Sequence, residues 1–216
     1  MGLYEKKEIF LCISEHFVRV RTMQILDYIL LSIIPEFKLG LINAWIGTFT
    51  ILLLPLVFRA FSGRRKFKNV VSSEGYNKNE KRSVDYTMAV YYLIVLYSIV
   101  LPLKPGSDSF YLGTFIYLIA IIGLLLAYGS FFSVEGGKLV TIGVYRISRN
   151  PFYFFTILAF LGVGLASLSW LLILLTIIMS LTQHQVVLAE ERICETNYGK
   201  EYLNYKEKTP RYFLFF

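Results

Sequence analysis

Residues 136–153 read Gly-Gly-Lys-Leu-Val-Thr-Ile-Gly-Val-Tyr-Arg-Ile-Ser-Arg-Asn-Pro-Phe-Tyr and lie between two long apolar runs. Gly136, Gly137 and Gly143 permit tight turns and let a ligand approach the backbone. Asn150 is placed to cap a helix whose first position is Pro151, where the missing N–H costs nothing. Lys138, Tyr145, Arg149 and Tyr153 give this segment charge and aromatic surface beside a membrane. Arg and Tyr also anchor at lipid headgroups, so an interfacial loop without chemistry remains an open reading.

A second group is Gln183-His184-Gln185, followed by Glu190-Glu191-Arg192. At 3.6 residues per turn, Gln183, Val186, Glu190 and Cys194 share one helix face, and His184 and Glu191 share a neighbouring one. Ionisable groups at membrane depth are expensive and point to function. A solvated helix end for Glu191 and a hydrogen-bonded structural role for His184 stand beside the pocket reading. No His-Glu-x-x-His pair, no Gly-x-Ser-x-Gly elbow and no Cys/His cluster is present, so no metal is expected. Gly136-Gly137-Lys138 is not a phosphate loop, because Phe132 and Leu139 occupy the positions of its first glycine and its Ser/Thr.

The elements that must position these groups follow from composition. Of 216 residues 56% are hydrophobic and only 17% charged, against about a quarter charged in soluble domains. The pattern predicts an all-α fold, a polytopic transmembrane helical bundle with five spans at residues 39–58, 84–103, 110–132, 151–166 and 170–189. The fifth helix is expected to continue to Tyr198, with Gly199 as its C-terminal cap. Residues 1–38 read as N-terminal interfacial or short membrane helices. Residues 39–216 read as one transmembrane domain whose C-terminal part, 133–216, carries the candidate site. No cleavable signal peptide is read at the N-terminus.

The net charge of +7 is explained by positive-inside bias and anionic headgroups, without nucleic acid. Lys and Arg concentrate in the loop at 59–82, in 136–153 and in the tail, and these segments alternate with nearly neutral turns. A multi-pass protein with the candidate site and C-terminus on the cytoplasmic side is expected. Gly162 and Gly164 give the fourth span a small face for close packing against its hairpin partner.

The order Leu139-Val140-Thr141-x-Gly143-x-Tyr145, Arg149-Asn150-Pro151-x-Tyr153, Glu190-Glu191, Tyr198-Gly199-x-Glu201-Tyr202-x-x-Tyr205 and Pro210-Arg211 resembles the isoprenylcysteine carboxyl methyltransferase and phospholipid methyltransferase superfamily. The resemblance covers roughly the C-terminal half. It implies an integral-membrane enzyme that uses S-adenosylmethionine to methylate a lipid-like or small hydrophobic acceptor entering from the bilayer. It implies cofactor contacts from Lys138, Leu139, Val140, Gly143, Tyr145, Asn150, Pro151, Phe152, Tyr153 and Glu190, with Arg149, Asn150 and Glu190 as the catalytic candidates. Gln183, His184, Val186 and Glu191 are the candidate acceptor pocket. Two positions depart from the family: many relatives carry His where Asn150 stands, and isoprenylcysteine-specific members carry a basic residue where Val186 stands. An NADPH-dependent reductase of the sterol-reductase type resembles the same region, and a non-catalytic structural or transport protein is a third reading.

Overall fold

The computed structural model describes residues 37–62 and 75–213 of the 216. The reading of residues 1–38 as interfacial helices lies almost wholly outside the described residues. Six helices are described: α1 (Trp45–Ser62), α2 (Lys78–Ile99), α3 (Asp108–Ser133), α4 (Pro151–Ala166), α5 (Trp170–Tyr198) and α6 (Lys200–Lys208). A single 3₁₀ turn, Gly143–Arg146, interrupts the segment between α3 and α4. No strand occurs among the described residues; an isolated bridge joins Asn43 and Pro102.

Helices α2, α3 and α5 start where the sequence supplies a side-chain cap. Asn77 accepts the backbone N–H groups of Asn79 and Glu80, while the Glu80 carboxylate accepts that of Asn77, a reciprocal capping box. Ser107 caps α3 and Ser169 caps α5. The three-residue turn between α4 and α5 is so short that Leu168 takes φ 53°. Helix α5 ends at Gly199, whose φ of 51° stops it where the sequence predicts.

Two expectations need correction. The first span was placed from residue 39, yet α1 begins at Trp45. The chain before it bends and turns beside the end of α2, with Lys38 N–H on the Val100 carbonyl and Ala44 N–H on that of Leu101. Asn43 pins this arrangement by donating to the carbonyls of Lys38 and Ile99. The number of spans is the second. Only α3, with 26 residues, and α5, with 29, are both long and apolar enough to cross a membrane by length and composition. The 16 residues of α4 reach about 24 Å at 1.5 Å per residue, short of the ~30 Å hydrocarbon layer. The apolar part of α1 is equally short, and α2 spends its first turns on Lys78, Glu80, Lys81, Arg82 and Asp85.

Helices α3 and α4 are packed backbone to backbone. A Cβ on Gly113 would fall 2.3 Å from the Ala166 nitrogen and 2.5 Å from the Gly162 oxygen. The expected small face of α4 therefore divides: Gly162 meets α3, and Gly164 meets Ile173 of α5. Helix α2 lies antiparallel to α5, joined by Tyr97–Ser169 at one end and Glu80–Arg192 at the other. Ile94, Leu124, Phe160, Leu172 and Met179 form the buried centre. Phe115, Leu118 and Ile122 of α3 and Leu174 and Leu181 of α5 remain exposed. Such large apolar residues along the same helices suit a lipid environment.

Candidate functional site

Consecutive residues on a helix point about 100° apart, and this separates Glu190 from Glu191. Both lie beyond residue 189, past the apolar length of α5. Glu190 is partly exposed. Its Oε1 accepts the Tyr153 hydroxyl at 2.6 Å and the Tyr76 hydroxyl at 3.3 Å. Tyr153 stands on the first turn of α4, and Tyr76 just ahead of the Asn77 cap of α2. Burial pushes the Glu190 carboxyl above its ordinary value, against the pull of the two phenol hydrogen bonds. Tyr145, in the 3₁₀ turn, is near enough for the Glu190 charge to add to the upward shift that burial and Tyr205 give its phenol. The turn is held from two sides. Tyr205 of α6 donates to the Tyr145 carbonyl at 2.6 Å. Gly143, at φ 58°, lies so close to α3 that a Cβ would sit 2.0 Å from Ser130 Oγ.

Glu191 is 4% exposed and faces a cage of donors. Its Oε1 accepts from Arg149 Nε at 3.2 Å, Asn150 Nδ2 at 3.0 Å and Arg211 Nε at 3.1 Å. Its Oε2 accepts from Arg211 Nη2 at 2.9 Å. Burial works to raise this carboxyl, but the Arg211 hydrogen bond and the Arg149 charge outweigh it and hold it below its ordinary value. Arg149 also donates to the carbonyls of Lys206 and Thr209. The backbone pairs alongside, Arg149 N–H to the Pro210 carbonyl and Asn150 N–H to that of Arg211. The tail is thereby stitched to the start of α4.

This geometry sorts the residues singled out from sequence. Tyr153 and Glu190 are in contact, with Tyr145 beside them. Arg149 and Asn150 turn to Glu191 instead of Glu190. Asn150 occupies the cap position of α4 but makes no capping hydrogen bond; the expected cap is corrected, because its side chain is turned to donate Nδ2 to the buried Glu191 carboxylate and its oxygen does not reach the first-turn N–H groups. Pro151 is buried, and Phe152 packs edge-on against Tyr128, with ring centroids 5.1 Å apart. Lys138 is exposed and paired with Glu135, while Leu139 and Val140 are half-buried. His184 Nδ1 lies 3.1 Å from the Tyr212 hydroxyl. Val186 is buried. Gln183, two turns before Glu190 on the same face, is 4% exposed and its Nε2 has no partner. No group of three or more His, Cys, Asp or Glu suited to a metal occurs among the described residues.

Sequence reasoning missed Tyr76 and the ligation of Glu191 by Arg211. The Asn77-x-x-Glu80 box was the available signal for Tyr76, since it fixes that residue at the mouth of a helix. Arg211 stands in the sequence only as part of the Pro210-Arg211 motif.

The phospholipid methyltransferase family model matches residues 108–201, from the start of α3 into α6, just under half of the chain. The match contains Tyr145, Tyr153, Glu190 and Glu191 but neither Tyr76 nor Arg211. No curated protein and no solved structure matches the chain significantly. The match covers Tyr145, Tyr153 and Glu190 of the site together with both membrane-length helices, and the matched segment is consistent with the integral-membrane methyltransferase superfamily.

Proposed function

We propose that the protein is a multi-pass membrane methyltransferase that takes its methyl group from S-adenosylmethionine and passes it to a lipid-like or small hydrophobic acceptor at the cytoplasmic side. One observation carries the reading: a partly exposed carboxylate, Glu190, meets phenols from two separate elements beside a 3₁₀ turn opened by glycine.

These residues fit the cofactor chemically. A carboxylate accepts from ribose hydroxyls or an α-ammonium group, and phenol rings offer π faces to a sulfonium. When bound, the cofactor supplies an electrophilic methyl carbon. Glu190 holds its polar groups and offsets its positive charge. Tyr153 fixes the Glu190 rotamer through its hydrogen bond. Leu139, Val140 and Gly143 offer backbone groups along the turn, and Tyr145 offers its ring. Arg149 and Asn150 enter as positioning residues: through Glu191 they hold the first turn of α4, and so Tyr153, in place. Alignment of this kind supplies much of the rate of an in-line displacement. The unpartnered amide of Gln183, deeper along the same helix face, suits an acceptor carrying a hydrogen-bond acceptor.

The test is calorimetric binding of S-adenosylmethionine to detergent-purified protein. Binding that weakens about tenfold or more in Glu190→Gln, the loss expected for a charge-assisted contact, supports the assignment. Absence of binding to the wild type overturns it. Preferential binding of NADPH would favour the reductase reading.

A further inference from the structure

The Glu190 site borrows a residue from outside the segment matched to the family. Tyr76 reaches Glu190 across more than a hundred positions of sequence, and the way it is held is specific. Arg192, two residues beyond Glu190, extends its guanidinium over the strand of chain that carries Tyr76. Its Nη2 donates to the Gly75 carbonyl at 2.8 Å and to Glu80 Oε2 at 2.7 Å, and its Nε to Glu80 Oε1 at 3.1 Å. A bidentate fork of this type fixes orientation as well as distance.

The clipped chain is itself rigid. Gly75 takes φ 98°, open to glycine but strained for other residues. It lies against Ile193 of α5, which a Cβ there would meet at 3.5 Å, an ordinary van der Waals contact. The capping box locks Asn77 to Glu80. Tyr76 is therefore enclosed between two fixed points, both tied to Arg192.

We propose that Tyr76 is a positioning residue for Glu190, and that Arg192 holds it there by clipping residues 75–80 across the end of α5 as a strap over the site. The strap's effect on cofactor rests on the function proposed above; its existence does not. With Tyr153 on one side and Tyr76 on the other, both phenols meet the same oxygen, Oε1, and leave Oε2 free of either. That is the arrangement required if Oε2 is to meet a ligand.

Cys194 provides a readout independent of cofactor. It lies one turn beyond Glu190 and is half-buried, and burial raises its thiol to about 11. Tyr76 is close enough to interact with it electrostatically. In a full-length Cys12→Ser background Cys194 is the only thiol, and its alkylation by a maleimide at fixed pH reports whether the strap is closed. Arg192→Ala is expected to speed alkylation about tenfold by releasing the strap, while Tyr76→Phe, which keeps the ring, stays near the wild-type rate. S-adenosylmethionine binding is expected to weaken about fivefold in Tyr76→Phe, and the double variant with Arg192→Ala should bind no worse than Arg192→Ala alone, as coupled residues do. An unchanged alkylation rate in Arg192→Ala, unchanged binding in Tyr76→Phe, or strictly additive losses each overturn the proposal. Should the wild type bind no cofactor, the proposed function fails, and alkylation alone decides whether the strap stands.

Discussion

Two adjacent glutamates in α5 have opposite electrostatic surroundings, and the contrast is measurable. Glu190 meets phenols and has a raised pKa; Glu191 meets two guanidinium groups and has a lowered one. A raised carboxyl disfavours the charged form in the folded protein. The ionised Glu190 that a cationic ligand needs is then lost as pH falls through a value above 4.5. S-adenosylmethionine affinity should therefore decline on acidification from neutral pH, and Glu190→Gln should flatten that dependence. In the ligand-free protein the same shift favours folding at low pH and is lost as pH rises through the folded value. Glu191 behaves in reverse: its contribution is present above 4.5 and is lost as pH falls through its lowered value. Removing a buried partner, as in Arg149→Ala, should cost about 3–5 kcal/mol, because it strips Glu191 of one of its two guanidinium groups and leaves the Lys206 and Thr209 carbonyls without their donor. Thermal unfolding would register that loss, whereas Glu190→Gln should unfold close to the wild type. The acidic pair was visible in the sequence. Its division of labour was not, because the partners of Glu191 come from residues 149, 150 and 211.

At the scale of the elements, the glycines of α3 and α4 decide how closely the helices approach. Gly113→Val must push against the backbone of Ala166 and Gly162, which cannot rotate away. A loss of about 1–3 kcal/mol is expected for such overpacking, read as a lowered melting temperature in detergent. Gly106, whose surroundings are open, still disfavours a side chain through its φ of 89°, so Gly106→Ala should show a smaller loss of backbone origin. Local signals located these elements well. Pro151 starts α4, Ser167 to Ser169 turn the chain, and Gly199 ends α5, since each acts through its own backbone. The start of α1 escaped, because residues 38–44 are held out of the helix by contacts with the end of α2 that are distant in sequence. Span number escaped for another reason: hydropathy gives an apolar run, but the capping box at Asn77 shows where α2 actually begins.

At the scale of the whole molecule, five described segments that carry Lys and Arg meet at one end of the bundle. The entrance to α2, the 3₁₀ turn, the start of α4, the end of α5 and α6 are joined there by Arg192–Glu80, Tyr205–Tyr145 and the Glu191 cage. Charge bias then predicts that this end faces the cytoplasm. Single cysteines introduced at Lys200 and at Gly106, in a background lacking Cys12 and Cys194, should react with a membrane-impermeant reagent from opposite sides. Labelling of both from one side would exclude the orientation.

The stitching of residues 209–211 to residues 149–150 has a consequence for biosynthesis. Helices α3 to α5 are synthesised first, yet Glu191 and Arg149 lack their remaining partners until residues 209–211 have been made. Completion of the cage therefore waits for residues 209–211, and a chain stalled before Thr209 would hold Arg149 against Glu191 without the Arg211 fork or the Thr209 carbonyl that fix the pair.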